Sequence, residues 1–239
     1  MGRNYGEKDV GDASLNGLLF FDWKTLPFLI LALIISFTLH EFAHAWSAYK
    51  LGDPTAQRFG RVSLNPMVHL DLFGSIMMLL VGFGWAKPVP VDRSNFKNPR
   101  LMSIIVTAAG PFSNLLLAVL SLIVWDLFYY NHWFEHFSIG SADAISVFLN
   151  TMLGTNLMLL LFNLIPIPPL DGYRIIQDLV NLKYTEGLIK FERWANVILL
   201  FIVLVPPLRN VTLAPYFSLI HPIAGGLQKI ILSLFGFHV

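Results

Sequence analysis

The sequence predicts an all-α polytopic membrane protein with about five to six membrane segments, one of them a short re-entrant run, and a small β element near the cytoplasmic face. Hydrophobic residues make up 55% of the 239 residues and charged residues only 13%, about half the share found in soluble domains. Asp126 is the only charged residue between Leu101 and Phe134. From Trp194 to Val239 there are only Arg209 and Lys229. A soluble fold of this size could not bury so much apolar surface.

The apolar runs locate the membrane segments in order. The first helix is predicted at Leu26–Leu51, with Pro27 suited to its first turn. The next run, Leu72–Trp85, has about 14 residues, fewer than the roughly 20 that cross a bilayer, so it predicts the re-entrant segment. The remaining predicted segments are spans at Met102–Phe128, at Ala144–Ile165 and at Trp194–Val205 with a start near Leu188, and a last run, Thr212–Phe237, that Pro215, Pro222 and Gly225-Gly226 interrupt.

Charge, cysteine content and the N-terminus exclude several classes of protein. The net charge of +1 gives no electrostatic case for binding nucleic acid. Cysteine is absent, which excludes disulfides, thiolate zinc sites and thiol nucleophiles. Residues 1–25 are polar, then mixed, and predict an interfacial segment. They lack the charged, then apolar, pattern of a removable signal peptide.

The main chemical motif lies inside the first predicted helix. His40-Glu41-Phe42-Ala43-His44 matches H-E-x-x-H, which places both imidazoles on one helix face, where they can bind one metal ion. Glu41 follows the first of these ligands and can accept a proton from water at the metal. Ionisable groups inside an apolar helix are costly and usually functional, so this pattern favours a metal site over chance occurrence.

A catalytic zinc site usually has three protein ligands, and without cysteine the third must be His, Asp or Glu. Asp171 is the best candidate, because it follows the Ala144–Ile165 span in a segment where three prolines prevent a regular helix. Asp171-Gly172 could equally be an ordinary turn at a helix end. Four other residues are alternative ligands: His69, Asp71, Asp92 and Asp126.

Two of these motifs together resemble the site-2 protease family of intramembrane zinc metalloproteases. They are H-E-F-A-H within an apolar helix and N-L-I-P-I-P-P-L-D-G after a later span, and Ala109-Gly110-Pro111-Phe112-Ser113-Asn114 resembles the family's A-G-P-x-x-N segment. The resemblance covers about residues 26–175 and suggests a compact form without a PDZ or CBS domain. It implies one Zn²⁺ per chain held by three ligands and a catalytic glutamate, here His40, His44, Asp171 and Glu41.

Geometry and charge predict how the chain lies in the membrane. The three metal ligands must lie at the same depth in the membrane, so the span that ends at Ile165 must finish on the same side as Leu51. The preceding span must then start on that side, which places Arg100 there as well. The run Leu72–Trp85 must therefore dip in and return, or lie at the interface. Eleven of the 16 basic residues fall on the shared side, and Tyr129–Asp143 has none. The positive-inside rule makes this side cytoplasmic, so the active site of this multi-pass cell-membrane protein lies nearer the cytoplasmic face.

Three further features concern the substrate. Lys87–Asp92 has prolines at alternate positions, typical of an edge strand that Arg58–Leu64 could pair with and that could dock an unwound substrate. A plain linker is an equal alternative. Asn114 and Asn163 lie in apolar spans and could bind substrate backbone, or could form hydrogen bonds between helices.

The sequence therefore predicts a zinc metalloendopeptidase that hydrolyses peptide bonds in or near the transmembrane segments of membrane proteins. Residues 1–25 form the interfacial segment, 26–175 the catalytic membrane core, and 176–239 C-terminal membrane segments that could act as a gate. A membrane zinc transporter or metal-binding scaffold is the alternative, since intramembrane His and Asp residues also serve transport. Glu41 argues against it, because transport requires no acid beside the first ligand.

Overall fold

A computed structural model describes residues 25–74, 77, 84–180 and 185–236. These residues are largely helical, and short 3₁₀ turns occur at Arg93–Asn95 and Trp133–His136. The predicted N-terminal segment, apart from Thr25, and most of the run Leu72–Trp85 lie outside the described residues. The α-helices, numbered along the chain, are α1 Leu26–Lys50, α2 Thr55–Arg58, α3 Pro66–His69, α4 Pro99–Tyr130, α5 Ile139–Leu164, α6 Asp171–Leu179, α7 Thr185–Leu204, α8 Pro206–Phe217 and α9 Ile220–Phe235.

Four helical stretches of the described chain are long and apolar enough to cross a membrane: α1, α4, α5 and the stretch Pro206–Phe235, which contains α8 and α9. The largely helical, multi-pass architecture is thus confirmed, and helices lie at the predicted spans Leu26–Leu51, Met102–Phe128 and Ala144–Ile165. The predicted span at Trp194–Val205 corresponds to the apolar part of α7, Trp194–Leu204, which is shorter than those four stretches. The exact number of crossings stays a prediction.

The C-terminal run breaks between α8 and α9, at Ser218 and Leu219, and not at its prolines or glycines. Pro222 is the third residue of α9, where its missing N–H would have had no partner within the helix. Pro215 lies in the last turn of α8. Gly225 and Gly226 remain helical, since a glycine lowers helix stability by only about 1 kcal/mol.

Helices α1, α4 and α5 pack against one another, and α6 packs against α4 and α5. Small side chains allow the backbones to approach closely: Ala32, Ala45, Ala48 and Ala118 are fully buried. The C-terminal helices α7 and α8 share an apolar cluster with the end of α5, which comprises Leu161, Ile165, Leu170, Leu199, Leu213 and Phe217. A hydrogen bond from Tyr216 to the Leu161 carbonyl adds to this contact. A separate bond from Gln228 to Asp126 joins α9 to α4.

The predicted β element is not confirmed. In the described part of this region, an isolated antiparallel bridge joins Leu70 to Ala86, and the Lys87 N–H donates to the His69 carbonyl at 2.8 Å. The two segments that could have paired as strands meet through a side chain instead. The Arg61 guanidinium donates to the carbonyl oxygens of Pro88, at 3.2 Å, and of Lys87.

Candidate active site

The two histidines of α1 meet the first residue of α6. The Nε2 atoms of His40 and His44 are 3.0 Å apart, and they lie 3.2 and 3.4 Å from Oδ2 of Asp171. Within the described chain, these three residues form the one cluster of His, Cys, Asp or Glu side chains with metal-binding spacing. The structure thus brings together both predicted histidines and the best candidate for the third ligand.

The hydrogen bond at Nδ1 of His44 determines which tautomer of the imidazole is present. His44 Nδ1 lies 2.7 Å from the backbone carbonyl of Val106 in α4. A carbonyl only accepts hydrogen bonds, so Nδ1 must carry the proton and donate it. In the neutral imidazole, Nε2 then presents its lone pair toward Asp171.

A chain of amides orients His40 in the same way. Asn156 Nδ2 donates to the Met152 carbonyl at 2.8 Å, which leaves Asn156 Oδ1 to accept from Asn114 Nδ2 at 2.9 Å. Asn114 Oδ1 in turn accepts from His40 Nδ1 at 2.7 Å. Because the chain starts at a backbone carbonyl, every amide orientation along it is determined. The Nε2 atom of His40 is therefore also an acceptor.

Two lone pairs and a carboxylate oxygen at this spacing repel one another unless a proton or a metal cation lies among them. Asp171 Oδ2 is buried and has no hydrogen-bond donor. Ligand atoms about 2.0–2.1 Å from a tetrahedral zinc ion are separated by about 3.3 Å, close to the observed 3.0, 3.2 and 3.4 Å. A donor set of two imidazoles and one carboxylate therefore fits a catalytic zinc ion, with a fourth position left for water.

Two glycines let the helices approach this cluster. A Cβ atom on Gly110 of α4 would lie 2.3 Å from His44 Nε2 and 2.6 Å from His40 Nε2. On Gly172 it would lie 2.3 Å from the Leu164 carbonyl oxygen at the end of α5. Gly110 belongs to the A-G-P-x-x-N motif, but the sequence predicted no role for this residue. Asn156 was also missed, although a polar residue in an apolar span was the signal that could have revealed it.

Glu41 is buried and lies near a buried arginine. Burial lowers the pKa of the Arg61 guanidinium from its ordinary value, and the negative charge of Glu41 opposes that shift. Arg61 is 4% exposed and holds the Lys87 and Pro88 carbonyls. It thereby fixes the segment that leads to Val89, whose side chain packs with Ala45, the residue after His44.

A cavity of about 820 Å³ opens onto the cluster. Its walls include His40, Glu41, His44 and Asp171, parts of the segment 84–91, and residues of α5, α7 and α8. Asn163 lines this cavity, and its amide donates to the Leu159 carbonyl of its own helix. Asn114 is fully buried behind His40. Its hydrogen bond to Asn156 joins α4 to α5, which corresponds to the alternative of a hydrogen bond between helices.

The other candidate ligands lie elsewhere. His69 Nε2 lies 2.7 Å from the Ser63 carbonyl, and Asp71 accepts from the Gly74 N–H. Asp92 accepts from Ser94, and Asp126 accepts from Gln228. None of these four belongs to the metal-binding cluster found in the described chain.

Comparison with known proteins is consistent with this geometry. The family model of peptidase family M50 matches residues 28–147 and 131–206, which is more than half of the chain. The "Putative zinc metalloprotease YwhC" of Bacillus subtilis is 43% identical over 203 residues, covering 84% of this chain and 90% of that protein.

More distant relatives carry similar names. The "Putative zinc metalloprotease Rip2" of Mycolicibacterium smegmatis is 30% identical over 186 residues, covering 74% of this chain and 66% of that protein. "Zinc metalloprotease MJ0392" of Methanocaldococcus jannaschii is 28% identical over 175 residues, covering 73% of this chain and 39% of that protein. No solved structure is significantly similar to the chain. With its helices, its ligand cluster and these matches, the chain belongs to peptidase family M50, the site-2 protease family of intramembrane zinc metalloproteases.

Proposed function

We propose that His40, His44 and Asp171 hold the catalytic zinc ion and that Glu41 is the general base for hydrolysis of a peptide bond in or near a substrate's transmembrane segment. The observation that carries this proposal is the convergence of two Nε2 lone pairs and one carboxylate oxygen on a cavity that Glu41 also lines. When bound, zinc supplies Lewis acidity and lowers the pKa of water toward neutrality.

The chain's own groups perform the proton transfers. The Glu41 carboxylate accepts a proton from water as the water oxygen bonds to the peptide carbonyl carbon. Glu41 then delivers that proton to the amide nitrogen as the C–N bond breaks, which yields a free amine and a carboxylic acid. Asn114 and the Val106 carbonyl hold the two imidazoles in orientation throughout.

A transmembrane helix must unwind before its carbonyls can be attacked, and the cavity wall offers a surface for the unwound chain. Val89 lines the cavity, and within the described chain neither its N–H nor its C=O has a hydrogen-bond partner. The neighbouring prolines, Pro88 and Pro90, have no N–H to donate. A free N–H and a free C=O on a wall that also includes the metal ligands support docking of substrate backbone along Lys87–Asp92. Asn163, on the same cavity, stays a candidate substrate contact.

We further infer that the active site lies nearer the cytoplasmic face of the cell membrane, on the side that carries most of the basic residues. The segment 26–175 would then be the catalytic core. The segment 176–239 would act as a gate, which is supported by the position of the cavity between the core and helices α7 and α8.

Substitution of Glu41 tests the assignment. Glu41→Gln preserves size and polarity but cannot accept the proton, so purified protein should retain zinc while cleavage of transmembrane peptides in proteoliposomes is abolished. Glu135→Gln, the same change at an exposed loop residue, is the matched control. Proteomics of membrane fragments from cells carrying each variant would identify natural substrates.

Metal analysis tests the ligands independently of activity. His40→Ala, His44→Ala and Asp171→Ala should each lower the zinc content from about one ion per chain. Substantial cleavage by Glu41→Gln would contradict its role as the base, and full zinc retention by Asp171→Ala would remove Asp171 from the ligand set.

A further inference from the structure

Arg209 is a charged residue that the proposed mechanism does not use. It lies in α8, within the stretch Pro206–Phe235 that is apolar and long enough to cross a membrane. From Trp194 to the end of the chain, the sequence has one other charged residue, Lys229, which is exposed on α9. A charged side chain in such a stretch is costly when it faces lipid, and usually faces the protein interior or a cavity.

The direction of Arg209 follows from its helix. Arg209, Leu213 and Phe217 are spaced by four residues and so share one face of α8. Leu213 and Phe217 belong to the apolar cluster against the end of α5, and all three residues line the cavity. The Nε atom of Arg209 is buried and has no hydrogen-bond partner in the described chain. Its side chain therefore faces the catalytic core and not the lipid.

A second arginine lines the same cavity. Arg174 lies three residues after Asp171 in α6, on the same helix face. It is exposed and also lines the cavity. Among the described residues it has no ion pair, whereas the cavity's third arginine, Arg93, is paired with Asp178.

The acids of the cavity do not neutralise these two cations. The described acidic side chains that line it are Glu41 and Asp171, and the proposed function uses both, one as base and one as metal ligand. With a zinc ion bound, the cavity carries a net positive charge and two guanidinium groups without a counter-ion. The buried Nε of Arg209 lacks a partner, and a partly buried guanidinium is stabilised chiefly by a carboxylate or another anion.

We propose that Arg209 and Arg174 form a carboxylate-binding subsite that selects substrate segments with an acidic side chain close to the scissile bond. The proposal rests on the proposed function for the identity of the reacting segment, but it makes a separate claim about binding. A substrate glutamate or aspartate would supply the charge that the cavity lacks.

Binding to catalytically inactive protein tests the subsite without relying on turnover. The probe is a fluorescent, transmembrane-length peptide of about 20 apolar residues with one Glu moved stepwise along it, and its Gln isostere is the reference. Anisotropy in phosphatidylcholine vesicles, with the Glu41→Gln protein, should show about tenfold tighter binding of the Glu peptide at one or two positions. Adding Arg209→Gln should abolish that preference, and Arg209→Lys should retain part of it.

Matched controls distinguish recognition from folding. Lys229→Gln makes a similar change outside the cavity and should leave the preference intact. Equal binding of Glu and Gln peptides at every position would overturn the proposal, as would an equal loss of both in Arg209→Gln. If peptide charge has no effect but phosphatidylglycerol competes with every peptide, the ligand is a lipid phosphate and the proposal is wrong. If the Glu preference is present but active protein cleaves nothing, the proposed function fails and the subsite stands.

Discussion

A Cβ atom on Gly110 would lie 2.3 Å from Nε2 of His44, inside the space where the ligand atoms converge. Helix α4 can therefore approach α1 closely enough to supply the Val106 carbonyl and Asn114 only because this residue has no side chain. The A-G-P-x-x-N segment thus combines a close approach, at Gly110, with a hydrogen-bonding group, at Asn114, one turn later.

Gly110→Ala should abolish zinc binding and activity while the protein remains helical. Alanine favours helix over glycine by about 1 kcal/mol, so a loss must come from the displaced imidazoles and not from helix propensity. Zinc content and circular dichroism of the purified protein measure the two effects. Gly154→Ala in α5 is the control, because a Cβ there has no neighbour within 4 Å. If both variants bind zinc normally, the helix approach described here is wrong.

Asn114→Ala should weaken zinc binding about 10- to 100-fold, as loss of a group that orients a ligand typically does. Asn156→Ala should act in the same direction but less, because it only orients Asn114. The double variant should lose little more than Asn114→Ala alone, since the two residues form one chain. Competition with a zinc chelator gives the affinities. Asn163→Ala should leave the zinc affinity unchanged. Fully additive losses of affinity in the double variant would contradict the hydrogen-bonded series Asn156–Asn114–His40.

The sequence predicted the part of this site that depends on local spacing. His40 and His44 lie one turn apart in a helix, so their shared face follows from the sequence alone. Asp171 was one of several possible ligands until the family resemblance selected it, because composition does not determine which helix end meets α1. Asn156 was missed because its partnership with Asn114 depends on the register of α4 against α5.

The predicted β element shows a different limit of prediction from sequence. Alternating prolines in Lys87–Asp92 do indicate extended backbone, but they do not specify what its carbonyls contact. The side chain of Arg61 takes two of those carbonyls and stands where a neighbouring strand was expected. A buried arginine can satisfy backbone carbonyl groups without a neighbouring β-strand. The periodicity of the sequence does not show which of the two will do so.

Asp53 should make the stability of the loop before α2 depend on pH. Burial favours its neutral form, but hydrogen bonds from Thr55, Asp92 and Asn95 outweigh this and lower its pKa below the ordinary value. The carboxylate therefore stabilises the fold above the unfolded pKa of about 3.9. That contribution is lost as pH falls through the lower folded value.

Asp53→Asn should accordingly reduce the free energy of unfolding by about 2 kcal/mol at neutral pH, and the difference from wild type should narrow below about pH 4. Thermal unfolding in detergent across that range measures it. Asp143→Asn, at an exposed position, should have little effect at any pH. A difference that stays constant down to the lowest pH would show that the charge of Asp53 is not what stabilises the loop.

The contact between His69 and Lys87 predicts the topology of the segment between them. The Lys87 N–H donates to the His69 carbonyl at 2.8 Å, and Leu70 is bridged to Ala86. A segment whose two ends are hydrogen-bonded together cannot leave them on opposite sides of a bilayer. Residues before and after it should therefore be accessible from one side, which the positive-inside rule makes cytoplasmic.

Single cysteines test this directly, because the chain has no native cysteine. Gln57 and Lys97 are exposed positions on the two sides of the segment, and His136 is exposed in the opposite loop. A membrane-impermeant maleimide added to intact cells should label His136→Cys alone, whereas Gln57→Cys and Lys97→Cys should react only in inverted vesicles. Opposite labelling of Gln57→Cys and Lys97→Cys would mean that the segment crosses the membrane. In that case Asp171 could not reach the depth of His40 and His44 with the helices arranged as described.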